Sequence, residues 1–460
     1  MDKQQIITFR DRLNSVSPSF CVAKWKQVTI HLALGKTHSC HLPDPHFIPL
    51  SELREDPSAL HNTKYKLRQQ QTMLPGGERP IECSSCWKVE DSDPNGEVFS
   101  DRIMKSADVW AEPFVDEIAA NPAGPHNPSY VELSFSNVCN LKCSYCSPEV
   151  SSKWLQEIKK FGPYPTSNSF NDIKWLQPST DEGIIPEMEV NPYVEAFWKW
   201  LPDLYRDLRV LRISGGEPLL TEHTFTLIDY ILANPHPELE FSVNSNLCVS
   251  KKVLDKFIKS MKKVQDAGAV KSFKLYTSCE AHGNKAEYTR FGLDYNLWKD
   301  NCNRILDEIP RSKLTVMSTY NVLSVTSYKE FLNDMLIIRR EHSTETSKHR
   351  VGVDMPYLRG PEHQSMAILT PDYMHYVEDQ LSFVKEPHVI NGYHDYEINR
   401  MDRVYRVFKD YMSREVDRNI LKHRRDFVRF FDEHDRRRGT NFLKTFPEME
   451  DFYNLCKNPN

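Results

Sequence analysis

From Tyr130 onward the sequence alternates between short strand-like segments and longer helix-like segments. The strand-like segments are rich in apolar and β-branched residues, whereas apolar residues in the longer segments recur every three or four positions. The predicted strands are 130–136, 208–214, 239–245, 272–278, 314–320 and 351–355. The predicted helices include 152–160, 221–233, 251–265, 295–309 and 328–341. This order predicts parallel strands joined by right-handed crossovers, hence an α/β fold that is a doubly wound sheet or all or part of a (β/α) barrel.

In both architectures the functional side chains are expected at the carboxyl ends of the strands, where the loops to the following helices begin. The segment from Gly162 to Glu189 contains four prolines and separates the first two strand–helix units. Loops of this length within a compact domain commonly cover or contact a substrate. We therefore expect the 162–189 loop to be a lid or a substrate-facing element.

The segments that flank the alternating region have a different character. Residues 1–100 carry closely spaced prolines after Cys40 and a Pro-Gly-Gly break before Cys83. This pattern predicts a small, irregular N-terminal domain that needs an additional cross-link or metal for its stability. We expect a linker over 101–128, the α/β domain over 129–370 and a charged helical C-terminal extension over 371–460. Acidic residues interrupt the basic pairs of that extension, which is typical of a solvated helix face and does not favour a nucleic-acid partner.

Composition excludes several classes of protein. The chain has 460 residues with 59 basic and 64 acidic side chains, whereas proteins that mainly neutralise phosphates carry a basic excess. No stretch approaches the roughly 18 consecutive apolar residues of a membrane-spanning helix, and the first twenty residues lack a secretory signal. We therefore expect a cytoplasmic protein without a membrane partner.

In a reducing compartment the 11 cysteines indicate metal or redox chemistry, since an odd number of thiols cannot all pair as disulfides.

Three cysteines, Cys139, Cys143 and Cys146, follow the first predicted strand on one short segment. Thiolates at spacings of four and three residues can bind a single metal centre, and sulfur ligands favour zinc or an iron–sulfur cluster. Because only three cysteines lie together, one coordination position is left for another ligand.

This spacing and three further motifs resemble those of the radical S-adenosylmethionine (SAM) superfamily. Tyr145 stands just before the third cysteine, where the cluster loop of that superfamily has an aromatic residue. The further motifs are Ile213–Pro218 after the second predicted strand, Ser245-Asn246 at the end of the third, and Ser278–Ala281 with Tyr288 and Arg290 after the fourth. The four motifs occur in the expected order, and the resemblance covers about residues 130–360.

The resemblance implies a partial (β/α)6 barrel in which Cys139, Cys143 and Cys146 hold a [4Fe–4S] cluster. SAM would bind the fourth iron through its amino and carboxylate groups. An electron from a flavodoxin- or ferredoxin-type donor would then cleave SAM to methionine and a 5'-deoxyadenosyl radical, which abstracts hydrogen from a substrate. This first step requires no general acid or base, so the sequence nominates no catalytic residue of that kind.

Four residues would hold the methionyl end of SAM if the resemblance extends to their roles. Gly215 and Gly216 would let the backbone approach the ligand without a Cβ atom. Glu217 would bind the ammonium group of SAM, and Arg290 its carboxylate, as charge-assisted pairs. A simple turn at the glycines and a surface ion pair at Arg290 are the structural alternatives for each residue taken singly.

Four further residues would contact the rest of the cofactor. Ser245, Asn246 and Ser278 stand at predicted strand ends, where their side chains would point into the barrel mouth and hydrogen-bond to the ribose and methionyl groups. Tyr145 would contact the adenine. The structural alternative for Ser278 is a helix cap.

Cys21, Cys40, Cys83 and Cys86 supply four more thiolates before the α/β region. Four thiolates can close one tetrahedral zinc site or ligate all four irons of a second cluster. The CxxC pair with its following tryptophan resembles the auxiliary-cluster domains called SPASM and twitch, although here it precedes the barrel and offers fewer cysteines than a SPASM domain. We expect one auxiliary [4Fe–4S] cluster, with zinc as the alternative.

The predicted function is radical modification of a peptide or protein side chain, such as cross-linking, oxidation or epimerisation, by analogy with SPASM and twitch relatives. Because a shared fold does not fix a substrate, a sugar, nucleoside or amino acid is the alternative. Either substrate implies an oxidoreductase or transferase. In the zinc alternative, His38, His41 or His46 lies close enough to substitute for a cysteine ligand. An interpretation from another class is a zinc-stabilised binding module without catalysis, whose C-terminal basic helix contacts a partner or nucleic acid.

Overall fold

The structure is a computed structural model that describes residues 2–93, 98–175, 184–185, 189–343, 349–387 and 392–458. Its strands are β1 (Gln27–His31), β2 (Lys36–His38), β3 (His46–Phe47), β4 (Tyr130–Ser134), β5 (Lys142–Cys143), β6 (Val210–Ser214), β7 (His236–Asn244), β8 (Val270–Ser278), β9 (Arg290–Phe291), β10 (Lys313–Met317) and β11 (Val351–Asp354). Its helices before β7 are α1 (Lys3–Val16), α2 (Val22–Lys26), α3 (Leu50–Glu55), α4 (Lys64–Thr72), α5 (Ser84–Asp91), α6 (Asp101–Ser106), α7 (Val115–Ala120), α8 (Ser152–Phe161), α9 (Pro192–Tyr205) and α10 (Glu222–Ala233). The later helices are α11 (Lys251–Asp266), α12 (Gly283–Thr289), α13 (Tyr295–Glu308), α14 (Tyr328–Glu341), α15 (Met374–Lys385), α16 (Asp395–Ser413), α17 (Arg418–Arg438), α18 (Phe442–Thr445) and α19 (Glu450–Lys457).

The strands and helices predicted for the alternating region are confirmed, and their boundaries differ from the predicted ones by three residues or fewer. Strand β10 ends earlier than expected, yet Tyr320 still pairs with Tyr357 through an isolated parallel bridge. Of the predicted 162–189 loop, residues 176–183 and 186–188 lie outside the described residues. The strands named above pair mainly in parallel, which confirms an α/β fold, while the (β/α)6 barrel stays a prediction.

The chain divides into two compact units. Unit 1 comprises residues 1–137, 177–218 and 236–242, and unit 2 comprises residues 138–176, 219–235 and 243–460. The boundaries of these units differ from those of the predicted N-terminal domain, linker, α/β domain and C-terminal extension. That domain division stays a prediction.

In unit 1 the strand order is β3-β2-β1-β4-β6. Strands β1, β4 and β6 are parallel, with Thr29 beside Glu132 and Glu132 beside Arg212, and β2 and β3 continue antiparallel from β1. The N-terminal region is therefore more regular than its prolines suggested. Its buried apolar residues also include a cluster around Phe20, Trp25, Trp87 and Trp110, with the rings of Phe20 and Trp25 5.2 Å apart.

In unit 2 the strand order is β8-β10-β11, all parallel, with Leu314 beside Leu275 and Val351. Helix α17 packs by three buried phenylalanines, Phe427, Phe430 and Phe431. Its basic end is not a uniformly solvated face, because the side chains of Arg437 and Arg438 are 1% and 0% exposed. Among the described residues, no helix combines the length and hydropathy that crossing a bilayer requires.

Candidate metal centre and cofactor site

The cysteine loop, residues 139–146, is fixed in unit 2 by a short antiparallel pairing. Strand β5 pairs with β9, so Cys143 stands opposite Arg290. The Cys146 amide donates to the Cys143 carbonyl over 3.0 Å, and the Cys139 amide donates to Ser152 Oγ over 3.1 Å. All three cysteines are half-buried, so their thiols are sheltered without being sealed from a ligand.

Side chains from four other segments bind the main-chain carbonyls of this loop. The hydrogen bonds run from Arg438 Nη1 to the Lys142 carbonyl (2.7 Å), from Trp154 Nε1 to Cys143 (2.8 Å), from Gln364 Nε2 to Ser144 (3.0 Å) and from Asn171 Nδ2 to Cys146 (2.9 Å). Such bonds fix the direction of the neighbouring Cβ atoms, because they determine the peptide planes. The loop is therefore preorganised by its surroundings rather than by its own sequence.

Arg290 connects the cysteine loop with two other buried side chains. Its guanidinium donates to Cys143 Sγ over 3.5 Å and to Tyr145 Oη over 2.5 Å. It also forms an ion pair with Glu280, in which Nη2 and Nε lie 2.5 and 2.9 Å from Oε2. Burial raises the pKa of Glu280, an effect that the Arg290 charge opposes. The predicted adenine contact Tyr145 and the predicted carboxylate ligand Arg290 therefore lie together beside a cysteine.

The carboxyl ends of β7 and β8 carry the other predicted cofactor contacts of unit 2. Asn246 Nδ2 donates to Asn140 Oδ1 over 2.8 Å and lies 4.0 Å from Cys139 Sγ. Ser245 Oγ accepts from the Leu247 amide over 3.1 Å. Ser278 is the last residue of β8, in register with Met317 of β10. Asn246 is thus joined to the cysteine loop directly, whereas the Ser245 amide donates to the Tyr276 carbonyl of β8 over 2.8 Å.

The predicted Gly-Gly-Glu motif lies in unit 1, directly after β6. Gly215 has a φ of +116°, and a Cβ atom there would lie 2.3 Å from Ser134 Oγ. The Gly216 amide donates to the Ser136 carbonyl over 3.3 Å, and Glu217 is 1% exposed. Gly215 is therefore required by a close approach of the two parallel strands, in addition to any approach by a ligand.

The four N-terminal cysteines, Cys21, Cys40, Cys83 and Cys86, line one pocket of unit 1. Cys83 and Cys86 occupy the start of α5, and Cys21 immediately precedes α2. No histidine is among the described residues that line this pocket. Cys21 and Cys83, which are 62 positions apart in the sequence, thus line the same pocket.

Buried charges surround these thiols. Lys24 and Arg102, each 3% exposed, line the same pocket and are neutralised by ion pairs with Glu82 and Glu90. Burial raises the pKa of Cys83 to about 12, with Lys24 opposing the shift. Buried thiols of this kind ionise when a bound metal compensates their charge. The pocket therefore has the chemistry of a metal site.

Among the described residues, no three His, Cys, Asp or Glu side chains converge closely enough to share one metal ion. Glu280 Oε1 and Ser144 Oγ are buried without a hydrogen-bond partner in the described structure, and they suit the donors and acceptors of a bound polar cofactor.

Comparisons with known proteins give a short sequence match and a distant structural one. The chain is 26% identical over 140 residues to the GTP 3',8-cyclase of Aliarcobacter butzleri, and 25% identical over 140 residues to that of Sulfurimonas denitrificans. Each match covers 30% of this chain, and 31% and 32% of those proteins, so the chain matches about a third of their length. No protein-family model matches the chain.

The structural matches include Streptococcus suis SuiB bound to its precursor peptide SuiA and SuiB bound to S-adenosylmethionine. Their TM-scores are 0.33 and 0.32, with 14% and 15% identity. Each match covers 64% of this chain, and 57% and 56% of SuiB respectively. Similarity at this level supports no statement about substrate or mechanism.

Fold and site together define an α/β protein in which the first strand of the alternating region leads into a loop with three cysteines. The sequence similarity to the two cyclases supports the resemblance of this loop to that of the radical SAM superfamily.

Several residues of the site carry no signal that sequence reasoning could use. Three of the side chains that bind the cysteine loop stand outside any motif that includes the cysteines: Arg438, Gln364 and Trp154. Glu280 is different, because it stands two residues after the predicted contact Ser278, at the same strand end. Its position in the fourth motif was a usable signal.

Proposed function

We propose that this chain is a radical SAM enzyme, an oxidoreductase or transferase, whose cysteine loop holds the catalytic [4Fe–4S] cluster. The observation that carries the proposal is the buried contact of Arg290 with Cys143, Tyr145 and Glu280. It sets a fixed cation and a buried carboxylate beside the cysteine loop. A cluster held by Cys139, Cys143 and Cys146 would supply one electron for the cleavage of SAM to methionine and a 5'-deoxyadenosyl radical, which would abstract hydrogen from the substrate.

The side chains of unit 2 would bind and orient SAM. Arg290 is proposed to donate hydrogen bonds to the SAM carboxylate, while Glu280 keeps the guanidinium in place. Glu280 Oε1 is open to a hydrogen-bond donor of the cofactor. Ser245, Asn246 and Ser278 are proposed to hydrogen-bond to its ribose and methionyl groups, and Tyr145 to contact the adenine.

In unit 1, Gly215 and Gly216 are proposed to let the backbone approach the methionyl end of SAM, and Glu217 to hold its ammonium group. The same unit would carry the auxiliary [4Fe–4S] cluster, ligated by Cys21, Cys40, Cys83 and Cys86. What supports this cluster is their shared pocket, which offers sulfur ligands and two buried cations. With all four irons ligated by the protein, the auxiliary cluster would relay electrons rather than bind substrate.

The proposed substrate is a peptide or protein side chain, and a small molecule is the second candidate. About a third of each cyclase matches this chain, and both cyclases are named for GTP. A purine nucleotide is therefore the first small molecule to test. Because that match covers 30% of this chain, the substrate must be tested directly.

The deciding experiment measures 5'-deoxyadenosine after anaerobic reconstitution and dithionite reduction with SAM. The wild-type chain is expected to bind about eight irons, as two cubane clusters require, and to form 5'-deoxyadenosine. The triple variant Cys139→Ala/Cys143→Ala/Cys146→Ala should form none and keep about half of the iron. A matched control is Cys456→Ala, which removes a buried cysteine of α19; it should behave as the wild type.

Two results would reject the proposal. Formation of 5'-deoxyadenosine by the triple variant would show that the cysteine loop is not the reducing centre. Stoichiometric zinc without visible absorption in the wild-type chain would instead support the zinc-stabilised binding module.

A further inference from the structure

We infer that Arg438, the last residue of α17, is a positioning residue that holds the cysteine loop and sets the reduction potential of its cluster. The inference rests on the proposed function, since it concerns the cluster that this loop would carry. Arg438 lies 296 positions after Lys142, the residue that precedes Cys143. The helical C-terminal extension would thereby be part of the radical-generating site.

The contacts of Arg438 are both numerous and specific. Nη1 donates to the Lys142 carbonyl over 2.7 Å, and Nη2 lies 3.1 Å from Glu157 Oε1. The guanidinium carbon is 4.8 Å from the centre of the Trp154 ring and 5.4 Å from that of Phe291. Both aromatic residues belong to the cysteine-loop environment, because Trp154 binds the Cys143 carbonyl and Phe291 faces Lys142 across β9 and β5.

Glu157 completes the arrangement. It is 5% exposed and pairs with both Lys142 and Arg438, and it accepts a hydrogen bond from Tyr164 over 2.6 Å. Lys142 and Arg438 therefore share the Glu157 carboxylate, so these three side chains together carry a net positive charge. A positive charge near an iron–sulfur cluster stabilises its reduced form, because reduction adds negative charge to the cluster.

Arg437 is the matched comparison for Arg438. Its side chain is also buried, and it also binds main-chain carbonyls, those of Gly162 at 2.9 Å and Pro163 at 3.0 Å. It differs in having no described contact with residues 139–146. Arg436, with a side chain 59% exposed and paired with Glu433, serves as a surface control on the same helix.

The test compares Arg438→Met, Arg438→Lys, Arg437→Met and Arg436→Met in the full chain after anaerobic reconstitution. The readout is the midpoint potential of the cubane electron paramagnetic resonance signal that responds to SAM. Arg438→Met should shift this midpoint to a more negative potential. Arg438→Lys should keep the midpoint close to the wild-type value, because it keeps the charge. Arg437→Met and Arg436→Met should retain the wild-type midpoint.

Equal midpoints in Arg438→Met and Arg437→Met would overturn the inference. If Arg438→Met instead fails to hold a SAM-responsive cluster, loss of about half of the iron with full iron in Arg437→Met would support positioning. Equal iron loss in both variants would show a merely structural role and overturn it. Absence of a SAM-responsive signal in the wild-type chain would contradict the proposed function itself, before the role of Arg438 is reached.

Discussion

Arg290 and Glu280 form a buried ion pair beside Cys143, with Arg290 Nη2 and Nε both bonded to one carboxylate oxygen, Oε2. The two residues are 6% and 1% exposed, so neither charge is screened by water. The second oxygen, Oε1, has no hydrogen-bond partner in the described structure. The pair thus keeps Arg290 charged and in place while offering one acceptor to a ligand, which is the arrangement expected of a preformed cofactor site.

Removing one member of this ion pair should lower the free energy of unfolding more than removing both charges together. In Arg290→Met the Glu280 carboxylate is left buried without a cation, which costs about 3–5 kcal/mol. In the double variant Arg290→Met/Glu280→Gln no buried charge remains, so the double variant should be more stable than Arg290→Met alone. Urea unfolding followed by tryptophan fluorescence measures both. A double variant less stable than Arg290→Met would contradict the ion-pair assignment.

Replacing two cysteines of the N-terminal pocket tests the auxiliary cluster separately. The double variant Cys83→Ala/Cys86→Ala should lose about half of the iron and keep the SAM-responsive signal, because Cys139, Cys143 and Cys146 are untouched. The matched control is Cys302→Ala/Cys456→Ala, which removes two fully buried cysteines outside the pocket. Iron content and paramagnetic resonance spectra decide the outcome. Unchanged iron in Cys83→Ala/Cys86→Ala would reject the second cluster.

The strands β4, β6, β7, β8, β10 and β11 were predictable because the signal for each is local. Each combines apolar periodicity with a nearby turn, and both are visible within about ten residues. Strand β1 carries a similar signal, since Val28 and Ile30 alternate with Thr29 and His31, but it is only five residues long. Its partner, β4, lies about a hundred residues further on.

The candidate site divides in the same way. The ligating cysteines are visible in the sequence because metal chemistry fixes their spacing on one loop. The residues that hold the loop are not, since the contact from Arg438 to Lys142 depends on how the last long helix packs in unit 2. No local pattern specifies a contact of that sequence separation.

Buried His363 should make folding stability depend on pH. It packs 5.2 Å from the Phe170 ring and 5.0 Å from Phe430, and burial lowers its pKa from 6.5 to about 3. The unfolded chain therefore takes up a proton as the pH falls below about 6.5, whereas the folded chain does so only near pH 3. Stability is consequently lost as the pH falls between these values, by about 1–2 kcal/mol between pH 7 and pH 5.

The variant His363→Gln isolates this contribution, because Gln does not titrate. The stability difference between pH 7 and pH 5 should be smaller in the variant than in the wild-type chain by about 1–2 kcal/mol. Urea unfolding of the metal-free chain at both pH values measures it, since acid also attacks iron–sulfur clusters. Identical differences in the two chains would show that His363 titrates normally in the folded state.

A Cβ atom at position 215 should destabilise unit 1 through a close contact as well as through backbone strain. Gly215→Ala would bring the new atom 2.3 Å from Ser134 Oγ at a φ of +116°. Gly268→Ala is the matched control, because Gly268 also has a positive φ, +59°, but has no atom within 4 Å of the added Cβ. Each substitution incurs strain of about 1–3 kcal/mol, and Gly215→Ala should cost more because of its contact. Adding Ser134→Gly should recover only the part due to the contact, as read from urea midpoints; full recovery would show that the backbone at Gly215 is unstrained.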